Sequence, residues 1–229
     1  MLNLFRSVDK QRLRALRQAS HPVMQSYLSN PLPSEKIDWK SAPIISLDFE
    51  TSGLDPRRHQ LLSYGCVEIS SGAIVFGSAR QERIRSDAII PESSAVIHGI
   101  TDDAARAGRP LKEVLPELLA RLSGKMLLVH YKPIELGFLD VVCRSLYGSP
   151  FLIPTIDTLE LAQRVLKLRD YGIGPNQLRL FNLRDKYGLP RYSAHDSLYD
   201  AITTAELFLV LAAEISPKQE LRLGQLLSR

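Results

Sequence analysis

The order of the predicted secondary-structure elements constrains the fold of this chain more than any other feature of its sequence. From residue 43 onward, strand patterns come first, and the second and third of them are separated only by Ser71 and Gly72, as in a β-hairpin. After residue 110, helical and strand patterns alternate. An antiparallel hairpin followed by this alternation predicts an α/β fold in which helices cover a mixed sheet.

These elements occupy residues 43–215, which we interpret as one domain. A short C-terminal helix, within residues 216–229, is expected to pack on that domain. The predicted strands span residues 44–48, 61–70, 73–84, 126–130 and 155–156, and the predicted helices span residues 111–122, 133–146, 158–168, 177–187 and 197–213.

An N-terminal helical extension and a linker are predicted for residues 1–42. Residues 7–28 have helix-forming composition, and residues 29–43 contain three prolines. The chain has a net charge of +4, and residues 1–40 account for it, with seven basic and three acidic side chains. This basic helix either packs on the domain with a solvated charged face, or it contacts phosphates or a protein partner.

The composition excludes several classes of protein. With 45% hydrophobic and 24% charged residues, the chain is globular rather than disordered or fibrous. Its longest apolar run near the C-terminus, residues 207–213, is far shorter than the roughly 20 residues of a membrane-spanning helix. Charged residues stand where a secretory signal would be apolar, and the two cysteines lack a metal-binding spacing. We therefore expect a soluble, cytoplasmic protein.

The most informative stretch lies at the end of the first predicted strand. Asp48 and Glu50 are separated by one residue, so both point to the same side of an extended chain. Two carboxylates in this arrangement repel each other unless a cation lies between them, and Mg²⁺ is the usual choice. The alternative is an acidic strand end in solvent. Gly53 and Leu54 favour the cation site, because they allow a close backbone approach and leave an apolar side chain beside it.

A second group of polar residues stands at the start of the last long predicted helix. His195 precedes this helix and Asp200 lies in its first turn, so both side chains can face one pocket at the helix N-terminus. The alternative is structural, because Asp196 or Ser197 can be the N-cap of the helix, and Ser197 and Asp200 have the spacing of a capping box.

Together the two segments resemble one family, the epsilon-subunit-like exonucleases of the DEDDh class, which degrade nucleic acid from the 3′ end on a ribonuclease H-like fold. Residues 48–55 (Asp-Phe-Glu-Thr-Ser-Gly-Leu-Asp) are similar to the first motif of the family, and His195 with Asp200 is similar to the third. Two secondary signatures lie between them, at residues 97–101 and 156–162. The resemblance covers about three quarters of the chain and implies a mixed sheet with an N-terminal antiparallel hairpin and flanking helices.

The second motif departs from the family pattern. The family has His-Asn, then Phe-Asp, then Phe-Leu, where this chain has His130-Tyr131, then Ile134-Glu135, then Phe138-Leu139. Alignment on His130 and Phe138 places Glu135 at the metal-binding aspartate. Asp140 is the other nearby acidic residue, but five residues along a helix turn it about 140° away. We expect Glu135 to be the ligand, and the alternative is a solvent-facing helix glutamate.

The resemblance implies two bound divalent ions, Mg²⁺ or Mn²⁺, and 3′–5′ hydrolysis of single-stranded DNA to nucleoside monophosphates. Asp48, Glu50 and Asp200 would hold the first ion, with Asp48 bridging to a second ion beside Glu135. His195 would be the general base that takes a proton from the attacking water. The substrate would contact five further residues, which are Thr51, Ser52, Leu54, His98 and Phe138.

Several alternatives stay open at this point. Phe138 stacks on a base or packs in the core, and His98 lies along the substrate or in a helix-ending turn. Asp157 is expected to cap a helix, and His130 is expected to be a core histidine with its hydrogen bonds satisfied. The activity itself has two alternatives, a weakly active or inactive nucleic-acid-binding scaffold and an exonuclease acting on RNA or small oligonucleotides. A polymerase or repair protein could dock on the basic N-terminal extension.

Overall fold

The computed structural model describes residues 4–228 except positions 89, 93, 95, 97, 98, 169–173, 175 and 217–219, and it describes side chains from residue 8 onward. Its centre is a five-stranded sheet in the order β3-β2-β1-β4-β5. β1 pairs antiparallel with β2, and β2 pairs antiparallel with β3, whereas β1, β4 and β5 run parallel. The strands are β1 (Ile44–Thr51), β2 (Leu61–Ser70), β3 (Ala73–Arg83), β4 (Met126–Val129) and β5 (Thr155–Asp157). The predicted mixed α/β fold is thus confirmed.

Helices cover both faces of this sheet. The first prediction to correct is the single helix at residues 7–28, because Ser20 and His21 break it and Pro22 starts a new helix. Another is the helix at residues 177–187, of which only the part from Leu180 is helical. The helices are α1 (Leu4–Gln18), α2 (Pro22–Ser29), α3 (Asp102–Arg106), α4 (Leu111–Leu122), α5 (Pro133–Tyr147), α6 (Thr158–Leu168), α7 (Leu180–Lys186) and α8 (Ser197–Ile215).

The C-terminal helix is also a wrong prediction for the described residues. Residues 220–228 form a single 3-10 turn, Leu223–Gln225, instead. Its leucines nevertheless anchor the segment, since Leu221, Leu223 and Leu226 are buried in one of the two main cores. The segment therefore packs on the domain without being a helix.

The side chains of β1 point alternately into two hydrophobic cores, which lie on opposite faces of the sheet. Ile45, Leu47 and Phe49 point to the face covered by α4 and α5. Ile44 points to the opposite face, which is covered by α6 and α8. Because side chains alternate with a period of two, Ser46, Asp48 and Glu50 share the face of α8.

The N-terminal extension packs on the α4 and α5 side of the domain. Met24, Tyr27 and Leu28 are buried in that core. The Tyr27 hydroxyl donates a hydrogen bond to the Leu152 carbonyl (3.0 Å), and the buried Arg12 guanidinium donates to the Leu28 carbonyl. The extension is thus part of the folded unit.

No helix in the described part of the chain is both long and apolar enough to cross a membrane.

Candidate active site

Three acidic side chains meet at the end of β1, and we call them the carboxylate cluster. Asp48 and Glu50 come from β1, and Asp200 comes from the first turn of α8. One oxygen from each carboxylate lies within 4.8 Å of the others. The structure thus brings Asp200 to the pair Asp48 and Glu50, although 150 residues separate them in the sequence.

Gly65 allows α8 to approach the sheet closely enough to form this cluster. Gly65 lies opposite Asp48 in the β1–β2 register. A Cβ atom at this position would lie 2.2 Å from the backbone nitrogen of Leu198, so any larger residue would push α8 away. Gly65 was not among the predicted site residues, although a glycine inside a strand pattern is a signal of close backbone approach.

Two serines fix α8 on the sheet beside the carboxylate cluster. The Ser46 hydroxyl donates a hydrogen bond to the Ala201 carbonyl (2.8 Å). The Ser63 and Ser197 hydroxyl oxygens lie 3.1 Å apart and are buried. These contacts fix the position from which Asp200 reaches Asp48 and Glu50.

Burial raises the pKa of each carboxyl in the cluster, and repulsion by other members of the cluster adds to this for Asp48 and Glu50. The pKa of Asp48 lies well above its ordinary value because of burial first, then the charges of Glu135, Asp200 and Glu50. Burial, followed by the charge of Asp200, raises the pKa of Glu50 to about 8. Burial raises the pKa of Asp200 to about 7. Two buried carboxylates and the half-buried Asp48, this close together, are a donor set that fits a hard divalent cation, which would relieve the repulsion.

Glu135 approaches Asp48 from α5, which packs on the other face of the sheet. Its side chain is 3% exposed, and its Oε2 atom is buried without a hydrogen-bond partner. Burial raises the pKa of Glu135 to about 8, against hydrogen bonds from its own backbone and from that of Phe49. β4 pairs with β1 only as far as Ser46, so the edge of β1 beyond it is open to Glu135. An unpartnered buried oxygen beside the cluster fits a cation ligand.

Asp140, the other candidate for this position, has a structural role. It accepts hydrogen bonds from the Arg144 guanidinium (2.7 Å) and from the Phe151 backbone N–H (3.1 Å). Its carboxylate is thus engaged at the far side of α5. The geometry supports our preference for Glu135 over Asp140.

His195 lies directly beside the carboxylate cluster. Its backbone N–H donates a hydrogen bond to Asp200 Oδ2 (3.1 Å), and its ring meets the ring of Phe181 edge-on at 5.2 Å. Its φ of +60° is unusual for a side-chain-bearing residue and turns the chain sharply into α8. Partial burial lowers the pKa of the imidazole, which favours its neutral form.

Of the two predicted N-cap candidates, Asp196 is confirmed, and Ser197 with Asp200 does not form a capping box. The N-cap of α8 is Asp196, which accepts hydrogen bonds from the backbone N–H groups of Leu198 (3.1 Å) and Tyr199 (3.2 Å). Because Asp196 caps the helix, Asp200 is left to face the cluster and to hold the His195 backbone.

The predicted substrate-binding residues have different outcomes. Leu54 is 76% exposed in the loop after β1. In the same loop, the Thr51 hydroxyl donates to the Gly53 carbonyl (2.9 Å) and the Ser52 hydroxyl accepts from the Gln60 N–H (3.0 Å). The Ser52 backbone is also engaged, since its N–H donates to the Gln60 carbonyl and its carbonyl accepts from Ser94. Substrate contacts by Thr51 and Ser52 therefore stay predictions.

For Phe138 and His98 the outcome is different. Phe138 is 1% exposed and packs in the core, so it offers no surface to a base, and stacking by this residue is a wrong prediction. His98 lies outside the described residues.

His130 and Asp157 have the structural roles expected of them. The His130 ring nitrogens lie within hydrogen-bond distance of the Thr158 hydroxyl (2.8 Å) and the Leu178 carbonyl (2.9 Å). Burial lowers the pKa of His130 to about 4, so it is a neutral core histidine. Asp157 caps α6 by accepting a hydrogen bond from the Leu159 N–H (2.9 Å).

A mixed five-stranded sheet with acidic residues on its central strand and on a facing helix defines the class of ribonuclease H-like nucleases. The family model RNase_T, described as "Exonuclease", matches residues 45–208. The chain therefore belongs to this exonuclease family, and the resemblance to the epsilon-like exonucleases is confirmed.

Curated relatives include DNA polymerase III proteins. The chain is 34% identical over 176 residues to the PolC-type DNA polymerase III of Thermotoga maritima. The aligned region covers 77% of this chain and 12% of the polymerase. The chain is 26% identical over 172 residues to the DNA polymerase III subunit epsilon of Aquifex aeolicus, which covers 75% of this chain and 81% of that subunit. The chain thus spans only about an eighth of the length of the PolC relatives.

Solved structures of nucleases share the fold. The nuclease domain of 3′hExo, a DEDDh family member bound to rAMP, has a TM-score of 0.66 at 18% identity, covering 84% of this chain and 99% of that domain. An E. coli ExoI complex with single-stranded DNA has a TM-score of 0.67 at 18% identity, covering 78% of this chain and 42% of ExoI.

Proposed function

We propose that this exonuclease hydrolyses phosphodiester bonds from the 3′ end of single-stranded DNA and releases nucleoside monophosphates, with two Mg²⁺ or Mn²⁺ ions. The convergence of Asp48, Glu50 and Asp200 next to His195 carries the proposal. The proposal explains why the fold keeps several acidic groups in a place where burial and repulsion make their ionisation costly.

The cations would lie between the cluster and Glu135. Asp48, Glu50 and Asp200 would hold one ion, and Asp48 with Glu135 would hold the other, since the charges of both Glu135 and Asp200 act on Asp48. When bound, two such ions activate the attacking water and neutralise charge on the phosphate and on the leaving oxygen. The unpartnered Glu135 Oε2 supplies a free ligand atom on this side.

His195 would act as the general base. A ring nitrogen of a neutral imidazole can accept the proton of the attacking water, and the lowered pKa of His195 keeps the ring neutral near pH 7. Phe181 fixes one edge of the ring, and the hydrogen bond from the His195 N–H to Asp200 ties the backbone to the cluster. Substrate would reach this base past Leu54, whose exposed side chain can stack on a terminal base.

The relatives favour DNA as the substrate. The curated relatives are parts of DNA polymerases, and ExoI was solved with single-stranded DNA. The 3′hExo domain was solved with a ribonucleotide, so RNA is the second candidate. By the same comparison, a replicative polymerase is the partner that we propose, with the basic N-terminal extension as its docking surface.

An inactive nucleic-acid-binding scaffold is the rival function. It is favoured by the departures at Tyr131 and Glu135. Against it stand the cluster and His195, because a scaffold has no use for buried carboxylates that repel each other.

Product ladders from end-labelled substrates test the proposal. The purified protein is incubated with 5′-labelled and 3′-labelled single-stranded DNA and RNA, with Mg²⁺, Mn²⁺ or EDTA. We expect a descending ladder from the 5′-labelled DNA and a labelled mononucleotide as the first product of the 3′-labelled DNA, with no reaction in EDTA. Binding without cleavage in either metal would instead support the scaffold. A stronger ladder from RNA would change the substrate and keep the mechanism.

A further inference from the structure

Tyr131 has the least expected backbone conformation near the site. Its φ is +80°, in the left-handed region that bulky residues avoid. It follows β4 directly and precedes α5, the helix that carries Glu135. Left-handed conformations in non-glycine residues persist where the surrounding structure enforces them, often at functional sites.

Asp157 enforces this conformation. Its Oδ1 accepts a hydrogen bond from the Tyr131 N–H (3.0 Å), and its Oδ2 accepts one from the Lys132 N–H (2.9 Å). Successive N–H groups in left-handed and right-handed helical conformations form a nest for an anion, and the Asp157 carboxylate fills it. The backbone at position 131 therefore has a structural purpose.

The phenol of Tyr131 has no such purpose. A glycine or an asparagine adopts a left-handed conformation with less strain and would form the same nest. Moreover, the side chain is 50% exposed, so core packing does not explain an aromatic residue here. A bulky, exposed aromatic ring kept at a strained position calls for a role outside the fold.

The contacts around Glu135 place position 131 at the edge of the active site. Tyr131 lies four residues before Glu135, just ahead of the first turn of α5. Its N–H is held by Asp157, whose charge acts on Glu135, and the Glu135 carboxylate accepts a hydrogen bond from the backbone of Phe49, which lies between Asp48 and Glu50. Tyr131 therefore lies on the Glu135 side of the active site.

Leu54 is a second exposed apolar side chain near the start of α5. The loop that carries it packs on α5, where a Cβ at Gly137 would lie 3.2 Å from the Pro56 side chain. Two exposed apolar side chains thus lie near the first turns of α5. Tyr131 precedes the helix, and Leu54 lies in the loop that packs on it at Gly137. Because Phe138 is buried, Tyr131 is the exposed aromatic ring that remains near the first turns of α5 in the described part of the chain.

We propose that the Tyr131 ring stacks on a base near the 3′ end of the substrate and, with Leu54, grips the terminal nucleotides. This inference rests on the proposed function in its choice of a nucleic-acid substrate. Stacking on an aromatic ring tolerates every base, so Tyr131 adds affinity for single strands without reading sequence. The rigid nest holds the ring in place before substrate binds, which lowers the cost of ordering it.

Binding measurements with matched oligonucleotides test the role of Tyr131. The probes are a 5′-fluorescein octathymidylate and the same oligonucleotide with two abasic nucleotides at its 3′ end, titrated by anisotropy in EDTA. For Tyr131→Asn we expect about tenfold weaker binding of the base-bearing probe, as for the loss of one stacked base, and no change for the abasic probe. Tyr131→Phe should bind as the parent does. Phe76→Asn, at an even more exposed aromatic on β3, is the control and should change neither affinity.

Folding and activity separate the possible outcomes. Because asparagine suits φ +80°, Tyr131→Asn should melt no lower than the parent. With active enzyme, its KM for the base-bearing DNA should rise about tenfold while kcat changes less than twofold. Equal loss of affinity for both probes, or no loss for either, would overturn the stacking role. Base-dependent binding by Tyr131 in a protein that cleaves nothing would support this inference and remove the proposed exonuclease function.

Discussion

Asp48, Glu50 and Asp200 meet where a regular strand faces a regular helix, whereas Glu135 reaches the site alone from the first turn of α5. We call these the cluster side and the α5 side. On the cluster side, Gly65 and two serines bring the elements together. On the α5 side, the Asp157 nest sets the approach.

The difference shows which side is open to variation. The cluster side matches the family pattern at each acidic position, and its ligands are fixed by the period of β1 and by the contact of α8 with the sheet. The α5 side departs from the pattern at Tyr131 and Glu135, and a turn can absorb such changes more easily than a sheet. We therefore expect substitutions on the cluster side to abolish function and those on the α5 side to modify it.

The largest effect is expected for Asp48. Its pKa is raised by burial, by the charge of Glu135 on the α5 side and by the charges of Asp200 and Glu50 on the cluster side. Asp48→Asn should leave no measurable hydrolysis, because it would remove the ligand that we propose the two ions share. The metal-free variant should be at least as stable as the parent, since one repelling carboxylate is gone. End-labelled DNA and urea unfolding in EDTA measure the two effects. Retained hydrolysis by the folded variant would refute the metal assignment.

The next largest effect is expected for His195 on the cluster side. His195→Ala should slow hydrolysis by about 10² to 10⁴, the usual contribution of a general base, and should keep the backbone N–H that holds Asp200. Mn²⁺ affinity should stay within a few-fold of the parent value, which titration calorimetry measures. Loss of Mn²⁺ as complete as in Asp48→Asn would make His195 a ligand.

On the α5 side, Glu135 should respond differently to two substitutions. Glu135→Gln should lose about 100-fold in activity with either metal, because a charged ligand disappears. Glu135→Asp should retain part of the activity with a changed Mn²⁺ to Mg²⁺ ratio, since Mg²⁺ demands near-ideal octahedral geometry. Rates in each metal measure both.

The control is Asp140→Asn on the same helix, which should keep full activity because Asp140 bonds only to Arg144 and the Phe151 N–H among its described contacts. If Glu135→Gln behaved as this control does, Glu135 would not be a ligand.

The metal-free protein should lose stability as pH rises. The folded pKa values of Glu50 and Glu135 are about 8 and that of Asp200 is about 7, well above the values near 4 of unfolded chains. Between these limits the folded state holds more protons than the unfolded state, so the free energy of unfolding falls with rising pH. We expect the free energy of unfolding to fall from pH 5.5 to 8 in EDTA by about 2 to 3 kcal/mol for each of these carboxyls that titrates.

Urea unfolding at these two pH values measures this fall. Glu135→Gln should flatten the dependence, and Mn²⁺ should stabilise the parent more at pH 8 than at pH 5.5. An equal dependence in the parent and in Glu135→Gln would mean that burial does not raise the Glu135 pKa.

The smallest effect on activity is expected for Asp157, which supports the α5 side without touching an ion. Asp157→Asn replaces one acceptor oxygen by a donor facing the backbone N–H groups, which should cost about 1 to 3 kcal/mol of stability. Activity should fall about tenfold, as for other residues that orient a ligand. Unfolding and rates measure these effects, and unchanged rates in a destabilised protein would separate Asp157 from the site.

Most of the fold could be predicted from the sequence because its signals are local. The hairpin turn at Ser71 and Gly72, and the apolar periodicity from residue 111 onward, place the strands and helices near their observed positions. The helix predicted for the C-terminal segment was wrong, because contacts with the core, rather than helical periodicity, determine where its leucines lie.

The site could be predicted less completely. Period-two geometry correctly places Asp48 and Glu50 on one face, but closeness to Asp200 depends on Gly65, where a tertiary contact decides. Phe138 failed as a stacking residue because sequence spacing does not show which face of α5 is buried. The purpose of Asp157 extends beyond capping, because its second acceptor reaches a turn 25 residues away in the chain.

Counting bound Mn²⁺ tests the two-sided site most directly. Titration calorimetry of the full chain with Mn²⁺, in the presence of saturating thymidine 5′-monophosphate, should give two ions for the parent, one for Glu135→Gln and none at comparable affinity for Asp48→Asn. Two ions in Glu135→Gln, or an Asp48→Asn protein that binds Mn²⁺ as the parent does, would contradict the account.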